Sequence, residues 1–147
     1  MVKEALLEIF ERDLGKLKEE ISLYTNENNL WKTEKQISNS GGNLALHFIG
    51  NLNHFIGATL GNTGYVRERD NEFSDKNIPV QKILDNIDAT IIVVKNTLSN
   101  LTAEDFEKVF PLEKHGQIVK TDFMLMHLLA HLEYHLGQIN YHRRLIE

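Results

Sequence analysis

Hydrophobic residues recur at helical spacing in four segments of the chain. In the first segment, about residues 2 to 24, they repeat every three, four or seven positions with Glu and Lys between them, a pattern typical of an amphipathic helix. They are Leu6, Ile9, Phe10, Leu17 and Ile21. The next stretch, TNENNLWKTEKQISNSGG, loses this period and is rich in residues that favour turns. The first helix is therefore predicted to end near Tyr24.

A second helix is predicted from Ser40, a suitable N-cap, to about Leu60. Its apolar side also contains two polar residues. The members of this side are Leu44, His47, Phe48, Asn51, Leu52, Phe55 and Ile56. The helix is expected to end in GATLGNTGYV, where Gly61 and Gly64 can adopt the left-handed conformation.

Two further helices are predicted in the second half of the chain. The third follows the charged loop RERDNEFSDKN, with Pro79 in its first turn. Its apolar positions are Ile83, Leu84, Ile87, Ile91 and Val94. The run IIVV is interpreted as helix because the three-and-four spacing continues on both sides of it. The fourth helix is predicted to run from Thr121, as a capping residue, to about Leu145, after a short helix in TAEDFEKVF.

These segments predict an all-α fold, a four-helix bundle forming a single domain over residues 1–147. The connections between the helices are long. About 17 residues join the second and third helices, and an extended chain of that length spans about 50 Å. Long crossover connections are therefore expected, and simple up-and-down wiring is not required.

Composition narrows the chemistry. The net charge of −5 and the lack of a basic run argue against nucleic-acid binding. The chain has no cysteine, which excludes disulfides, thiolate zinc sites and cysteine nucleophiles, so any metal must be held by nitrogen and oxygen atoms. No signal peptide or membrane span is recognisable. A cytoplasmic protein that does not bind membranes is expected.

Histidines recur every fourth residue in the fourth helix, at His127, His131 and His135. At about 100° per residue they share one sector of the helix with Gln138, beside the leucines of the buried face. A buried row of imidazoles is unfavourable, because each ring has two nitrogens to satisfy and an unpaired buried group costs about 1–3 kcal/mol. A divalent cation removes this problem by accepting a lone pair from each neutral ring.

Histidines four residues apart on a helix can bind one ion. The stretch HLEYH is not the HExxH motif of zinc proteases, because Glu133 lies about 200° from His131 around the helix and faces elsewhere. Glu133 is therefore not assigned as a general base. His115 is expected in a solvated loop, and His142, near the chain end, at the rim of the bundle.

A further ligand is expected from the second helix, which carries His47 and His54, about 10.5 Å apart on one face. If the second and fourth helices are antiparallel, His47 faces His131 and His135, and His54 faces His127. If they are parallel, His54 is the better partner of His135. The spacing leaves both arrangements open.

The same stretches resemble the DinB/YfiT-like superfamily of metal-dependent four-helix bundles. HLLAHLEYHLGQINYHRR is similar to the pattern HxxxHxxxHxGQIxxxxR, and LALHFIGNLNHFIG to the segment around the second-helix histidine. The resemblance implies antiparallel second and fourth helices and a metal site of His47, His131 and His135. His127 matches an extra histidine that is usually not a ligand. Leu136 replaces the usual arginine, so any role of that arginine does not carry over.

A three-histidine site leaves a coordination position open, which favours catalysis over a structural role. Zn²⁺ or Ni²⁺ is expected, to activate water or a thiol or to polarise a carbonyl. The resemblance implies chemistry with low-molecular-weight thiols, so the first hypothesis is a thiol S-transferase or a hydrolase. Gln138 is expected beside the ligands, with Asn51 as a weaker candidate. Tyr65, Arg67 and Arg69 either line a mouth for an anionic substrate or form a solvated turn.

The second hypothesis is a bundle that the metal only stabilises and that serves as a binding or dimerisation module. Members of the resembled superfamily commonly form dimers, so a homodimer is expected under either hypothesis. Long amphipathic helices also leave apolar surface available for a second copy.

Overall fold

The four helical periods correspond to α1, α2, α5 and α7 in the computed structural model, which describes residues 2–147. The helices are α1 (Val2–Ser22), α2 (Gly41–Leu52), α3 (Thr59–Gly61), α4 (Arg69–Ser74), α5 (Val80–Asn100), α6 (Ala103–Glu107) and α7 (Thr121–Ile146). A 3-10 helix covers Glu27–Trp31, and a π-helix covers Asn53–Ala58. Residues 2–147 form isolated β-bridges but no strand, so the all-α prediction is confirmed.

Helix α2 begins as predicted, with the Ser40 hydroxyl accepting a hydrogen bond from the N–H of Asn43. It continues through the π-helix into α3, so helical backbone extends to Gly61. The prediction that Gly61 adopts the left-handed conformation is wrong. Asn62, with φ of 50°, ends the helix instead, since Asn tolerates this region better than most residues. Gly64 is left-handed, with φ of 78°.

Two predicted helix starts are displaced by one residue. Pro79 is the N-cap of α5 and not part of its first turn, and α5 starts at Val80. Lys120 is the N-cap of α7 in place of Thr121. Thr121 is the first residue of the helix, and its hydroxyl and its N–H both donate to the carbonyl of Lys108, at 3.1 and 2.9 Å.

The long helices share one apolar core. Helix α1 packs against α5 and α7, and α2 packs against α5, α7 and the short helix α4. Completely buried side chains come from each long helix, for example Phe10, Phe48, Ile87 and Leu132. The packing of α2 on α7 brings their histidines together. The packing of α4 on α2 places the carboxylate of Glu72 next to His47. None of the helices in residues 2–147 is long and apolar enough to cross a membrane.

The end of α7 is attached to residues 24–32. His142 is 3% exposed, so the prediction of a rim residue is wrong. Its Nδ1 lies 2.6 Å from the Tyr24 hydroxyl, and its Nε2 lies 2.7 Å from the carbonyl of Lys32. The segment after α1 folds over the ring and buries it. Gly41 allows this approach, because a Cβ there would overlap the Tyr24 hydroxyl.

Glu147 makes a second attachment to the same segment. Its carboxylate accepts hydrogen bonds from the N–H and the hydroxyl of Thr25 and from the Asn29 side chain, at 2.7 to 2.9 Å. The hydrogen bonds from Asn29 and Thr25 lower the pKa of Glu147 to about 2. The carboxylate therefore stays ionised across the neutral range, and these contacts persist.

Candidate metal centre

Helices α2 and α7 bring three imidazoles together at one point. The Nε2 of His131 lies 3.3 Å from the Nε2 of His47 and 3.0 Å from the Nε2 of His135. Ligand atoms of the three residues all lie within 4.8 Å of one another. Two nitrogens bound tetrahedrally to zinc at 2.0–2.1 Å are separated by roughly 3.3 Å. The spacing of these rings therefore fits one shared ion.

Burial keeps the ring at the centre of the cluster neutral. Burial, together with the neighbouring rings of His135 and His47, lowers the pKa of His131 to about 4. Burial also lowers the pKa of His135, against a hydrogen bond with Gln138 that raises it. A neutral imidazole offers a lone pair, which is the form that binds a metal.

Glu72 fixes the orientation of His47. The Nδ1 of His47 lies 3.0 Å from the Glu72 carboxylate, so this nitrogen carries the proton and Nε2 faces the cluster with its lone pair. Arg67 donates two further hydrogen bonds to the same carboxylate, at 2.8 and 2.9 Å. Burial opposes ionisation of Glu72, but the hydrogen bonds from Arg67 and His47 keep its pKa below the usual value.

The approach of Glu72 depends on Gly50. A Cβ at position 50 would overlap the Glu72 carboxylate. Helix α4 can therefore bring Glu72 against α2 only where α2 has no side chain, one turn after His47. The result is a nearly buried carboxylate, 6% exposed, directly behind the ring.

Gln138 orients His135 in a similar way. The Nδ1 of His135 lies 2.5 Å from Oε1 of Gln138 and donates a hydrogen bond to this oxygen. The Nε2 of His135 therefore also points its lone pair toward the cluster. Glu133 lies away from the rings, as predicted, and accepts a hydrogen bond from Arg12 at 3.2 Å.

The remaining histidines lie outside the cluster. The ring of His127 faces His115, with centroids 6.1 Å apart, and no ring contact joins His127 to His54 in residues 2–147. The predicted pairing of His54 with His127 is therefore wrong. His54 lies in the π-helix, whose wider turn breaks the seven-residue register with His47, and its ring packs on Phe55.

Within residues 2–147, two cavities reach the cluster from different sides. Cavity A, about 330 Å³, is lined by two of the clustered histidines, His47 and His131, and by Arg69, Lys114 and His115. Cavity B, about 510 Å³, is lined by the third histidine of the cluster, His135, and by Gln138, which bonds to that ring. Its lining also includes Ile37, Tyr134 and Tyr141. Small molecules can therefore approach the three rings along two routes.

The sequence also matches a known family over nearly its whole length. A profile of the family described as "Protein of unknown function (DUF1572)" matches residues 5–147. The chain belongs to the DUF1572 family. The matched range includes all three clustered histidines of this DUF1572 protein. The family description assigns no activity, so the chemistry must be argued from the site.

A solved structure shares the fold of this DUF1572 protein. It is described as the crystal structure of the conserved protein of locus from Enterococcus faecalis, and it superposes with a TM-score of 0.75 at 18% identity. The match covers 99% of this chain and 97% of that one. The same fold is therefore present in a protein of very different sequence. Comparison with curated proteins gives no match.

The charged segment between α3 and α5, which includes α4, contributes more residues to the candidate site of this DUF1572 protein than its sequence indicated. Arg67 and Arg69 line cavity A, as one of the two interpretations expected, whereas Tyr65 does not. Glu72 was not predicted as part of the site. It is one of several charged residues between residues 67 and 76, and nothing in their order distinguishes the carboxylate that reaches His47.

Proposed function

We propose that this DUF1572 protein is a metal-dependent enzyme in which His47, His131 and His135 bind one divalent ion, Zn²⁺ or Ni²⁺. The observation that carries the proposal is the convergence of three Nε2 atoms at zinc-like spacing. When bound by three histidines, such an ion has an open position that can activate water or a thiol or polarise a carbonyl. Glu72 and Gln138 support this role by holding the protons on the opposite nitrogens.

We also propose that the chain forms a single domain over residues 1–147 with the DinB/YfiT-like four-helix bundle, and that the protein is cytoplasmic. The order of contacts along α2 and α7 supports the proposed bundle. Gly41, at the start of α2, lies beside His142 near the end of α7, whereas His47 lies beside His131. The two helices therefore run in opposite directions, as the resemblance implies.

The proposed reaction is a thiol S-transfer, with hydrolysis as the other possibility. Two cavities at one cluster favour a reaction of two substrates, because a thiol and an electrophile can then approach from different sides. In the transfer, the sulfur forms a bond to carbon, the leaving group departs with the former bonding pair, and the thiol proton goes to solvent. Glu72 and Gln138 orient the ligand rings. The apolar side chains of Phe55, Met124 and Leu128 line cavity A and exclude water from that part of its wall.

Metal titration of protein purified without an affinity tag tests the site. One ion per chain is expected. Alanine at position 47, 131 or 135 should abolish tight binding, because two ligands hold an ion far less well than three. His54→Ala and His127→Ala are matched controls and should retain the ion. Loss of the ion in these controls, with retention in His47→Ala, would show that the ligands are assigned wrongly.

Turnover tests the enzymatic role. A low-molecular-weight thiol and an alkyl halide should react faster with the metal-loaded protein, and a chelator should remove the acceleration. A catalytic ion is also expected to leave the fold intact when it is removed. A protein that binds metal and melts much lower without it, but accelerates neither this transfer nor the hydrolysis of simple esters, would favour the second function instead.

That second function is a metal-stabilised dimerisation module, and an exposed apolar stripe on α7 favours it. Phe123, Met126, Tyr134 and Tyr141 lie on one face and are each at least half exposed, with small residues between them. A second copy fits this stripe. In an antiparallel pair of α7 helices, Asp122 of one copy would lie near Arg144 of the other, so their charges are complementary.

Sedimentation measures this association directly. The wild-type chain is expected to form a dimer, and Met126→Glu should give monomers because it places a charge within the apolar stripe. Ile92→Glu is the matched control, since Ile92 is at least as exposed as Met126 but lies on α5. A monomeric wild type, or equal dissociation by both variants, would contradict a dimer through α7.

A further inference from the structure

Cavity A contains an unsatisfied amide beside the histidine cluster. Asn51 lies on α2 one turn after His47 and is 7% exposed, and its Oδ1 is buried without a hydrogen-bond partner. Leaving such an atom unpaired costs about 1–3 kcal/mol, and the residue lines the cavity. A bound molecule with an N–H or O–H group would satisfy this atom.

The outer end of cavity A carries positive charge. Arg67 is neutralised by Glu72, but neither Arg69 nor Lys114 has a carboxylate partner within residues 2–147. Their cationic groups instead lie over aromatic rings, at 5.2 and 5.8 Å from the centroids. Glu113 also lines this end, so these three side chains carry a net charge of +1. On a chain of net charge −5, such a local excess favours an anion.

Part of the cavity wall is apolar. Phe55, Met124 and Leu128 line the same cavity as Asn51 and the charged residues. The volume of about 330 Å³ is at the small end of the range for ligand sites. The cavity therefore combines two of the clustered histidines, a hydrogen-bond acceptor, apolar walls and a cationic mouth.

We infer that cavity A binds a small carboxylate substrate whose anion lies between Arg69 and Lys114 and whose N–H or O–H group donates to Asn51. The inference deepens the proposed function and rests on it for the end of the substrate that reacts at the three histidines. The proposed binding of the carboxylate and of the donor group depends only on Arg69 and Lys114, which form the cationic mouth, and on Asn51.

Two matched probes separate the charge from the rest of the molecule. N-acetylcysteine carries a thiol, an N–H donor and a carboxylate, and N-acetylcysteine amide differs by lacking the negative charge. Their affinities are measured by calorimetry on the zinc-loaded and the metal-free protein. The carboxylate probe is expected to bind about tenfold more tightly. Arg69→Gln and Lys114→Gln should each reduce this preference about threefold to fivefold, as for partly exposed ion pairs.

The controls distinguish charge from structure. Lys82→Gln removes an exposed cation from α5 and should leave the preference unchanged. Asn51→Leu should weaken binding of both probes equally without lowering the urea midpoint, because it removes an amide whose oxygen has no partner. A fall in the urea midpoint with unchanged affinity would overturn the role of Asn51 and make it a structural residue.

The two proposals fail in different ways. If zinc does not bind but the metal-free protein still prefers the carboxylate probe, the proposed metal enzyme is wrong and the carboxylate site stands. If zinc binds but the probes bind equally or not at all, the carboxylate site is wrong. Equal loss of preference in Lys82→Gln would likewise overturn it, because the effect would then come from the net charge of the chain.

Discussion

Glu72 influences the candidate site without facing the ion position. It holds the proton of His47 on Nδ1 and neutralises Arg67, both through one carboxylate. Carboxylates behind metal-binding histidines set the tautomer and increase the basicity of the ring. His47 is therefore a better ligand with Glu72 in place than without it.

Replacing Glu72 tests this role. Glu72→Gln should lower metal affinity about 10- to 100-fold, as for other residues behind metal ligands. It should also lower the free energy of unfolding by about 3 kcal/mol, because Arg67 would be left partly buried without an anion. Calorimetry and urea unfolding measure the two effects. Glu68→Gln is the matched control, because Glu68 is the exposed N-cap residue of the same helix, α4.

Gly50→Ala provides an independent route to the same result. Its methyl group would displace the Glu72 carboxylate, so it should weaken metal binding while leaving every charged residue in place. Wild-type affinity in both Glu72→Gln and Gly50→Ala would show that the carboxylate has no part in binding the metal.

The lowered pKa of His131 predicts how stability depends on pH. The ring takes up a proton near pH 6.5 when unfolded but only at about pH 4 when folded. Between these values the unfolded chain binds more protons, so the free energy of unfolding of the metal-free protein should fall as the pH falls. His135 and His127, whose pKa values are also lowered by burial, act in the same direction.

Urea unfolding of the metal-free protein at about pH 7 and about pH 5 measures this effect. The loss of stability on acidification should be smaller in His131→Asn, which cannot be protonated in this range. Glu72 loses its contribution only when protonated, below its ordinary pKa, and so does not obscure the comparison. An equal loss in both proteins would contradict a neutral, buried His131.

At the scale of elements, regular helices could be predicted and their irregular ends could not. The period of α1, α2, α5 and α7 is encoded locally, because each helix presents one apolar side to the same core. The π-helix at Asn53–Ala58 has no such local pattern, and it is the reason that His54 does not follow His47 around the helix. The spacing rule failed where the helix stopped being regular.

The site could be predicted only in part for a related reason. The spacing of His131 and His135 on one helix is a local property, and the choice of His47 came from the resemblance. Glu72 reaches the site from another element, over a gap that Gly50 leaves in α2. His142 was assigned to the rim because the fold of residues 24–32 over it involves contacts more than a hundred positions apart. Such long-range contacts leave no periodic pattern in the sequence.

At the scale of the molecule, charge is distributed unevenly. The chain as a whole is acidic, but the mouth of cavity A has a small positive excess from Arg69 and Lys114. A small anion is therefore attracted at this opening although the chain has a net negative charge. Added salt should weaken carboxylate binding there by screening the attraction to Arg69 and Lys114.

The attachment of Glu147 and His142 to residues 24–32 has a mechanical consequence for His131 and His135, which lie 11 and 7 positions before His142 in α7. A helix rises about 1.5 Å per residue, so a lengthwise shift of α7 by a single position would displace His131 and His135 by that amount relative to α2. Metal–ligand bonds tolerate only about 0.2 Å. The contacts of Glu147 and His142 with residues 24–32 thus keep α7 aligned with α2 to the accuracy that a shared metal ion requires.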